Sequence, residues 1–270
     1  MEIAPEPPKV WPTSIRGINN LPPPQKHAIY RTLILSWAYE RFDIDYRTLT
    51  HNGQDVVNIN GPPGSRSVEI SIRQNPGDQD PVMYLHMADT FNHQLMVLLV
   101  MINDPDSPRF AVDRDPNDNP THLGTQGRNI PAEVAAMQAG LAPGQIRAGL
   151  RVFRMAVPAF EGFVTRMGHS MFLIEPFAYH NAISFERYGF SYMQGRKQME
   201  WIHQEFQPGG ELHRKLDGST PFRQPDAWKT VRGRSWAIHD GILGHPFTGF
   251  QMYKRIGVHA RVVTFPDARW

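Results

Sequence analysis

The sequence predicts an α/β protein of the α+β type, with a mixed, mostly antiparallel sheet flanked by helices. Two observations support this prediction. Several segments between residues 55 and 115 have the residue pattern of β-strands, and the short links between them are typical of antiparallel pairing. Beyond residue 130, segments with helical spacing alternate with short apolar segments of strand length. We therefore expect an antiparallel meander that is followed by helix-connected strands.

The first 24 residues are rich in proline, with seven prolines in positions 5–24. Proline fixes φ and removes a hydrogen-bond donor, so we predict an extended arm over residues 1–24. Such an arm would lie on the surface or on a second copy of the chain, which makes a homodimer formed through the arm one expected assembly. From Gln25 to Phe42, apolar residues recur at helical spacing and predict an amphipathic helix.

The meander is predicted from alternating apolar and polar residues. The strand segments are 55–60, 66–73, 81–90 and 93–104, with 109–115 as a further edge strand. The first two are separated by the turn sequence GPPGS, and the next two by Phe-Asn. Because the fourth segment is apolar on both faces, we expect it to be a central, covered strand.

The second half of the chain begins with a polar loop over residues 114–130, long enough to suggest a functional or mobile segment. The patterns that follow predict, in order, a helix from Pro131 to Gly140, a helix over 144–165, a strand over 170–175, a helix over 180–188 and strands over 190–194 and 257–265. We expect a main α/β domain over residues 25–195 and a C-terminal extension over 196–270 that packs on it.

Composition excludes several classes of function. The chain has no cysteine, which rules out disulfides, thiolate metal sites and a cysteine nucleophile. The formal net charge of +2 gives no evidence of a nucleic-acid partner. The longest apolar run, residues 95–102, is about half of a membrane span, and the N-terminus lacks the pattern of a secretory signal. We expect a cytoplasmic protein with a small-molecule substrate and with neither a nucleic-acid nor a membrane partner.

Two short motifs between residues 142 and 194 resemble those of the GNAT superfamily of acyl-CoA N-acyltransferases. The segment APGQIRAGLRVF, residues 142–153, is similar to the family's Q/R-x-x-G-x-G/A pattern, and FERYGF, residues 185–190, to its Tyr-Glu-x-x-Gly-Phe pattern. The resemblance implies a GNAT-like fold and an acyl-CoA cosubstrate whose acyl group passes to a small amine. It also implies that the CoA pyrophosphate is held by four residues: Gln145, Arg147, Gly149 and Arg151. Free N–H groups and the dipole at a helix N-terminus favour such an anion.

The second motif departs from the family at one position. Phe185 stands where the family has the tyrosine that protonates the leaving thiolate, and Tyr188, on the same helical face, is the predicted substitute. Glu175 or Glu69, each on a predicted strand, is the candidate general base. The backbone near residues 141–145 is the candidate oxyanion donor. A solvated helix face is the alternative explanation for Arg147 and Arg151, and a solvent-facing acid at a strand position is the alternative for both glutamates.

Two other functions stay open. His86 and His93 flank a predicted turn, where they could share a divalent metal with His180 or Glu186 as a third ligand, giving a metal-dependent enzyme. The third hypothesis is a non-catalytic small-molecule-binding protein on a GNAT-like scaffold, which the missing tyrosine favours.

Overall fold

The computed structural model of the chain describes residues 6–122 and 124–270. The helices in chain order are α1 (Ile15–Asn19), α2 (Pro23–Tyr30), α3 (Ser36–Arg41), α4 (Ile130–Gln138), α5 (Phe153–Arg166), α6 (Tyr179–Arg187), α7 (Arg196–Glu205), α8 (Glu211–Arg214) and α9 (Val231–His239). The strands are β1 (Thr50–His51), β2 (Gln54–Asp55), β3 (Val57–Asn60), β4 (Ser67–Ile72), β5 (Met83–Asp89), β6 (Leu95–Ile102), β7 (Met171–Ile174), β8 (Ser191–Gln194) and β9 (Gln251–Arg255).

The chain divides into two compact units. Unit 1 holds the described residues up to Pro105 together with Gly149–Ile174 and Lys254–Val258, and unit 2 holds the remaining described residues. Each unit takes residues from both sides of position 195, so this division differs from the predicted domain limits at residues 24 and 195. Within the described parts of the chain, no helix is long and apolar enough to cross a membrane.

Unit 1 contains the predicted meander. Strands β3, β4, β5 and β6 pair in that order, all antiparallel, and β7 adds to β6 in parallel. This confirms the mostly antiparallel mixed sheet, the central place of β6 and the pairing of the 170–175 strand with the 93–104 strand. One face of the meander carries the buried core, which includes Val68, Ile70, Leu85 and Met87, because side chains alternate between faces along a strand.

The extended arm predicted over residues 1–24 is wrong from residue 15 onward, because residues 15–19 form α1 and α2 begins at Pro23. Residues 6–14 have no regular secondary structure, and residues 1–5 lie outside the described residues. Ile15 and Ile18 on α1 are fully buried, and Trp11 packs edge-on against Phe163 with ring centroids 5.5 Å apart. Burial of these apolar side chains outweighs the extended preference of the flanking prolines. Two prolines start α2, where the missing N–H costs nothing. The homodimer stays a prediction.

The helix predicted over 25–42 is interrupted: α2 ends at Tyr30, a 3₁₀ turn follows, and α3 begins at Ser36. Asn19 helps to fix this region, because its side-chain amide donates to the carbonyl oxygens of Ser65 and Ser67 and accepts a hydrogen bond from Tyr30. A buried amide with its hydrogen bonds made holds α1 in a defined register against the start of β4.

Unit 2 is built around α4 and α9. Trp236 of α9 stacks on Phe222 and packs with Ala136 and Leu141 in a buried cluster, and its indole N–H donates to the Leu141 carbonyl. Strands β8 and β9 pair antiparallel. The predicted helices at 131–140 and 180–188 and the strand at 190–194 are confirmed as α4, α6 and β8.

Three predicted elements differ from the structure. Segment 109–115 is irregular, with a single bridge between Arg114 and Pro120. Segment 257–265 is also irregular, and β9 lies before it. The helix predicted to begin at residue 144 begins at Phe153, so the segment from 142 to 152 is a loop.

Candidate functional site

The central strand of unit 1 has a β-bulge. Along the β5–β6 ladder, His86 is opposite Leu99 and Met87 is opposite Val97, so Leu98 is an extra residue without a β5 partner. A bulge bends a strand and re-aims its backbone groups. The backbone polar groups around Leu98 are therefore oriented differently from those of a regular strand.

The parallel pairing of β6 with β7 ends at the same place. The two strands pair at Met96 with Leu173 and at Val97 with Ile174, and β7 ends there while β6 continues to Ile102. Residues 98–102, which we call the open segment of β6, thus have no partner in β7. Backbone N–H and C=O groups at the edge of such a segment are available to a ligand that can hydrogen-bond to them.

The open segment is partly accessible to solvent. Leu95 and Val97, in the paired half of β6, are buried, whereas all five residues from 98 to 102 are half-buried. All five are apolar. A central strand with both neighbours in place normally has at least one face fully covered. The exposure therefore follows from the early end of β7.

The loop that precedes α5 lies at the end of the open segment. Gly149 lies beside Ile102: a Cβ built on Gly149 would be 3.4 Å from the carbonyl oxygen of Ile102, which is ordinary van der Waals contact. Two residues later, Arg151 has a left-handed φ of 56°, which is uncommon for a residue other than glycine. This turn leads directly into α5.

The first turn of α5 carries an unbalanced positive charge. Its N-cap residue, Val152, makes no side-chain hydrogen bond to the helix, and the first turn contains no acidic residue. Arg151 and Arg154, which flank the helix start, are both exposed. Positive side chains oppose the dipole at a helix N-terminus. An anion bound between them would offset that repulsion, and a phosphate group suits such a place.

Three polar side chains lie together on the face of the meander that is opposite its buried core. Glu69 of β4 is directly opposite His86 of β5, and Tyr84 lies two residues before His86 on the same face. Burial first, and then the neighbouring Glu69 side chain, raise the pKa of Tyr84 to about 12. All three are half-buried. The carboxyl group of Glu69 thus lies near a phenol and stays partly accessible.

The other two predicted cofactor residues lie in unit 2 and have structural partners. The side-chain oxygen of Gln145 accepts a hydrogen bond from the Ala142 N–H, at 2.7 Å. The Arg147 guanidinium donates to the carbonyl oxygen of Ser107, whose hydroxyl accepts the Ala148 N–H. These contacts tie the loop to the segment that begins at residue 107. The helix-face explanation for Arg147 is wrong, because this residue is not in a helix.

The other predicted catalytic residues also lie in unit 2. Glu175 is exposed just after β7, and Tyr188 is half-buried at the C-cap of α6. Phe185 is buried against Phe190, with ring centroids 5.2 Å apart. The turn between them needs glycine: Gly189 has a φ of 83°, and a Cβ there would lie 2.9 Å from the Cα of His259.

The histidines predicted as metal ligands are separated in the structure. His93 lies in the turn before β6 with a φ of 57°, so it does not face His86, whose cross-strand partner is Leu99. His180 is buried at 2.9 Å from the Ser235 hydroxyl, and burial lowers its pKa to about 3. Glu186 accepts hydrogen bonds from Tyr192 and Thr264. Among the residues that the structure describes, no group of three or more potential ligands could hold a metal ion.

Sequence reasoning missed two features of this site: the bulge at Leu98 and Tyr84. A period-two pattern would have placed Tyr84 on the face of Glu69 once β4 and β5 were paired, whereas an all-apolar strand contains no signal for a bulge. No protein-family model, no curated protein and no solved structure matches the chain significantly. The functional assignment therefore rests on the geometry of unit 1 and on the motifs.

Proposed function

We propose that this protein is an acyl-CoA-dependent N-acyltransferase that transfers an acyl group to a small amine. The observation that carries the proposal is the end of the β6–β7 pairing at Val97, directly before the bulge at Leu98. A thioester bound along the open segment of β6 would find unpaired backbone groups there, and donors fixed by a strand stabilise a developing oxyanion. The motifs that resemble those of acyl-CoA N-acyltransferases support the same function.

The basic start of α5 suits the phosphate groups of CoA. Gly149 places the loop beside the end of β6. Arg151 and Arg154 present positive charge at the start of α5, whose N-cap residue makes no side-chain hydrogen bond. Arg147 contributes by holding the preceding loop to Ser107. In this proposal Gly149 and Arg151 keep their predicted cofactor role, and Gln145 shapes the loop through its bond to Ala142.

The reaction needs a base and a proton donor. An alkylamine with a pKa near ~10 must lose a proton before or during attack. Glu69 is the better of the two predicted bases, because it is half-buried and lies opposite His86, while Glu175 is exposed. The amine nitrogen forms a bond to the thioester carbonyl carbon, the carbon–sulfur bond breaks, the base takes the amine proton and the thiolate gains one. The motif alone keeps Tyr188 as the predicted donor of that proton.

CoA binding tests the proposal. At a CoA concentration 100 times Kd, the ligand should raise Tm by ~5–10 °C, since it adds about 2.7 kcal/mol to stability. The double variant Arg151→Glu/Arg154→Glu should lose this shift. Arg255→Glu, which reverses an exposed arginine elsewhere in unit 1, should keep it. Absence of any shift for the native protein at millimolar CoA would refute the function, and an unchanged shift in the double variant would refute the site.

The buried Phe185 favours one second candidate, a non-catalytic protein that binds an acyl-CoA or a similar molecule. Its ring packs on Phe190 where a catalytic phenol is expected. CoA binding without release of free thiol from acyl-CoA, across a panel of primary amines and amino acids, would favour this candidate over the transferase.

A further inference from the structure

A half-buried arginine lies near Glu69, on the face of the meander that is opposite its buried core. Arg73 directly follows β4, and one nitrogen of its guanidinium lies 3.4 Å from the hydroxyl of Ser71, so the Arg73 side chain is folded back over that residue. Side chains two residues apart on a strand share a face. Glu69, Ser71 and the guanidinium of Arg73 therefore lie along one side of β4.

Neutral groups hold this guanidinium in place. Its Nε donates to the carbonyl oxygen of Asp78, at 3.0 Å. The Asp78 carboxylate accepts hydrogen bonds from the backbone N–H and the side-chain amide of Asn75. Among the described residues, the hydrogen-bond partners of the Arg73 guanidinium are a carbonyl oxygen and a hydroxyl, which are both uncharged. The planar guanidinium suits a carboxylate, and this one is free to bind a carboxylate that comes from a ligand.

The separation between the two charges suits a small zwitterion. Ser71, over which the guanidinium lies, is ~7 Å from Glu69 at the usual rise of a strand. An α-amino acid separates its nitrogen from its carboxylate oxygens by ~3 Å, and a hydrogen bond of ~2.9 Å at each end extends its reach to ~9 Å. It is thus long enough to contact both charged groups. Tyr84 lies beside the same stretch, directly opposite Ser71.

We propose that Arg73 binds the carboxylate of the acceptor, so that the amine that receives the acyl group is an α-amino acid. This inference rests on the proposed acyltransferase function and adds the class of acceptor. The amino group lies toward Glu69, which takes its proton, and the carboxylate lies toward Arg73, away from the charge of Glu69. The nitrogen forms an amide bond as the carbon–sulfur bond breaks, which yields an N-acyl amino acid and free CoA.

A comparison of two acceptors measures the contact. Thiol release from acetyl-CoA gives kcat/KM for leucine and for 3-methylbutylamine, which is leucine without its carboxylate. In Arg73→Gln the ratio of the two values should fall ~10–100-fold, the usual effect of losing a hydrogen bond to a charged group. The value for 3-methylbutylamine should not change. Comparing the same ratio between two proteins removes the difference in pKa between the two amines.

Matched variants locate the contact. Arg66→Gln, which removes an exposed arginine just before β4, should keep the native ratio. Arg73→Lys keeps the charge but loses the planar group, so the ratio should fall less. Arg73→Gln should keep the CoA-induced rise in Tm, which shows that it is folded.

Two outcomes separate this inference from the proposed function. An unchanged ratio in Arg73→Gln and Arg73→Lys, or acylation of 3-methylbutylamine by a native protein that does not acylate leucine, would overturn the amino-acid acceptor and leave the transferase standing. Failure of every amine and every amino acid to release thiol from acetyl-CoA would refute the proposed transferase and this inference with it.

Discussion

Replacement of Arg128 by methionine should destabilise unit 2 strongly. The Arg128 guanidinium donates to both carboxylate oxygens of Glu133, which is 2% exposed, and to Asp240 at 2.9 Å. Removing one partner of a buried ion pair costs ~3–5 kcal/mol. Glu133 keeps His239 at 3.3 Å and Asp240 keeps Arg223, so we expect the lower end of that range, ~3 kcal/mol.

The loss should depend on pH in a defined direction. Burial alone would raise the pKa of Glu133, but the bonds from His239 and Arg128 outweigh it and lower that pKa. A carboxyl with a lowered folded pKa adds stability above its unfolded pKa of ~4.3 and loses it as the pH falls. Without Arg128, burial should raise the Glu133 pKa. The difference in stability between native protein and variant should then shrink as the pH falls from 7 to 4.

Urea unfolding at pH 7, 5.5 and 4.5 measures both effects. The double variant Arg128→Met/Glu133→Gln is the control, because it removes the buried charge together with its partner and should recover part of the lost stability. A loss below ~1 kcal/mol at pH 7 would contradict the reasoning, as would a loss that grows on acidification.

Two further predictions concern the base and the Gly-Phe turn. Glu69→Gln should lower the rate of thiol release from acyl-CoA ~10²–10⁴-fold without changing CoA affinity. Glu175→Gln, which changes the exposed alternative base, should keep the native rate. Full activity in Glu69→Gln would show that Glu69 is not the base. Gly189→Ala should cost more in urea unfolding than Gly64→Ala, which has a similar φ of 82° but open space around it. The second variant should lose ~1–2 kcal/mol from backbone strain alone, so equal losses would show that the approach of His259 is harmless.

Much of unit 1 could be predicted from sequence because its sheet buries one face. Apolar and polar residues alternate along β4 and β5, as is typical of strands with one buried face. The unbroken apolar run of β6 is typical of a central strand. The bulge at Leu98 cannot be recognised from the sequence of β6, because every residue around it is apolar. Glu69 could therefore be proposed as a base, but the open segment beside it could not.

Two segments show how long-range partners override local pattern. Residues from 144 to 152 have helical spacing, yet Ser107 and Phe110 bind the backbone of Ala148 and Ile146 and hold the segment as a loop. Residues 257–265 alternate like a strand, but Thr264 hydrogen-bonds to the buried Glu186 instead of to a strand edge. In both cases the partner that determines the structure is distant in sequence, so the residues of the segment alone do not predict it.

The capping of α1 by Asp89 has a consequence for folding during synthesis. The N–H groups of Ile15 and Arg16 donate to the two carboxylate oxygens of Asp89, at 2.7 and 2.9 Å. The carboxylate that caps this helix is therefore translated 74 residues after Ile15, or ~4–15 s at ordinary translation speeds. The Trp11 side chain stays uncovered for longer, because Phe163, against whose ring it packs, is translated after Asp89. The segment that holds Trp11 and Ile15 therefore leaves the ribosome with apolar side chains uncovered, and it docks only when the sheet has been made.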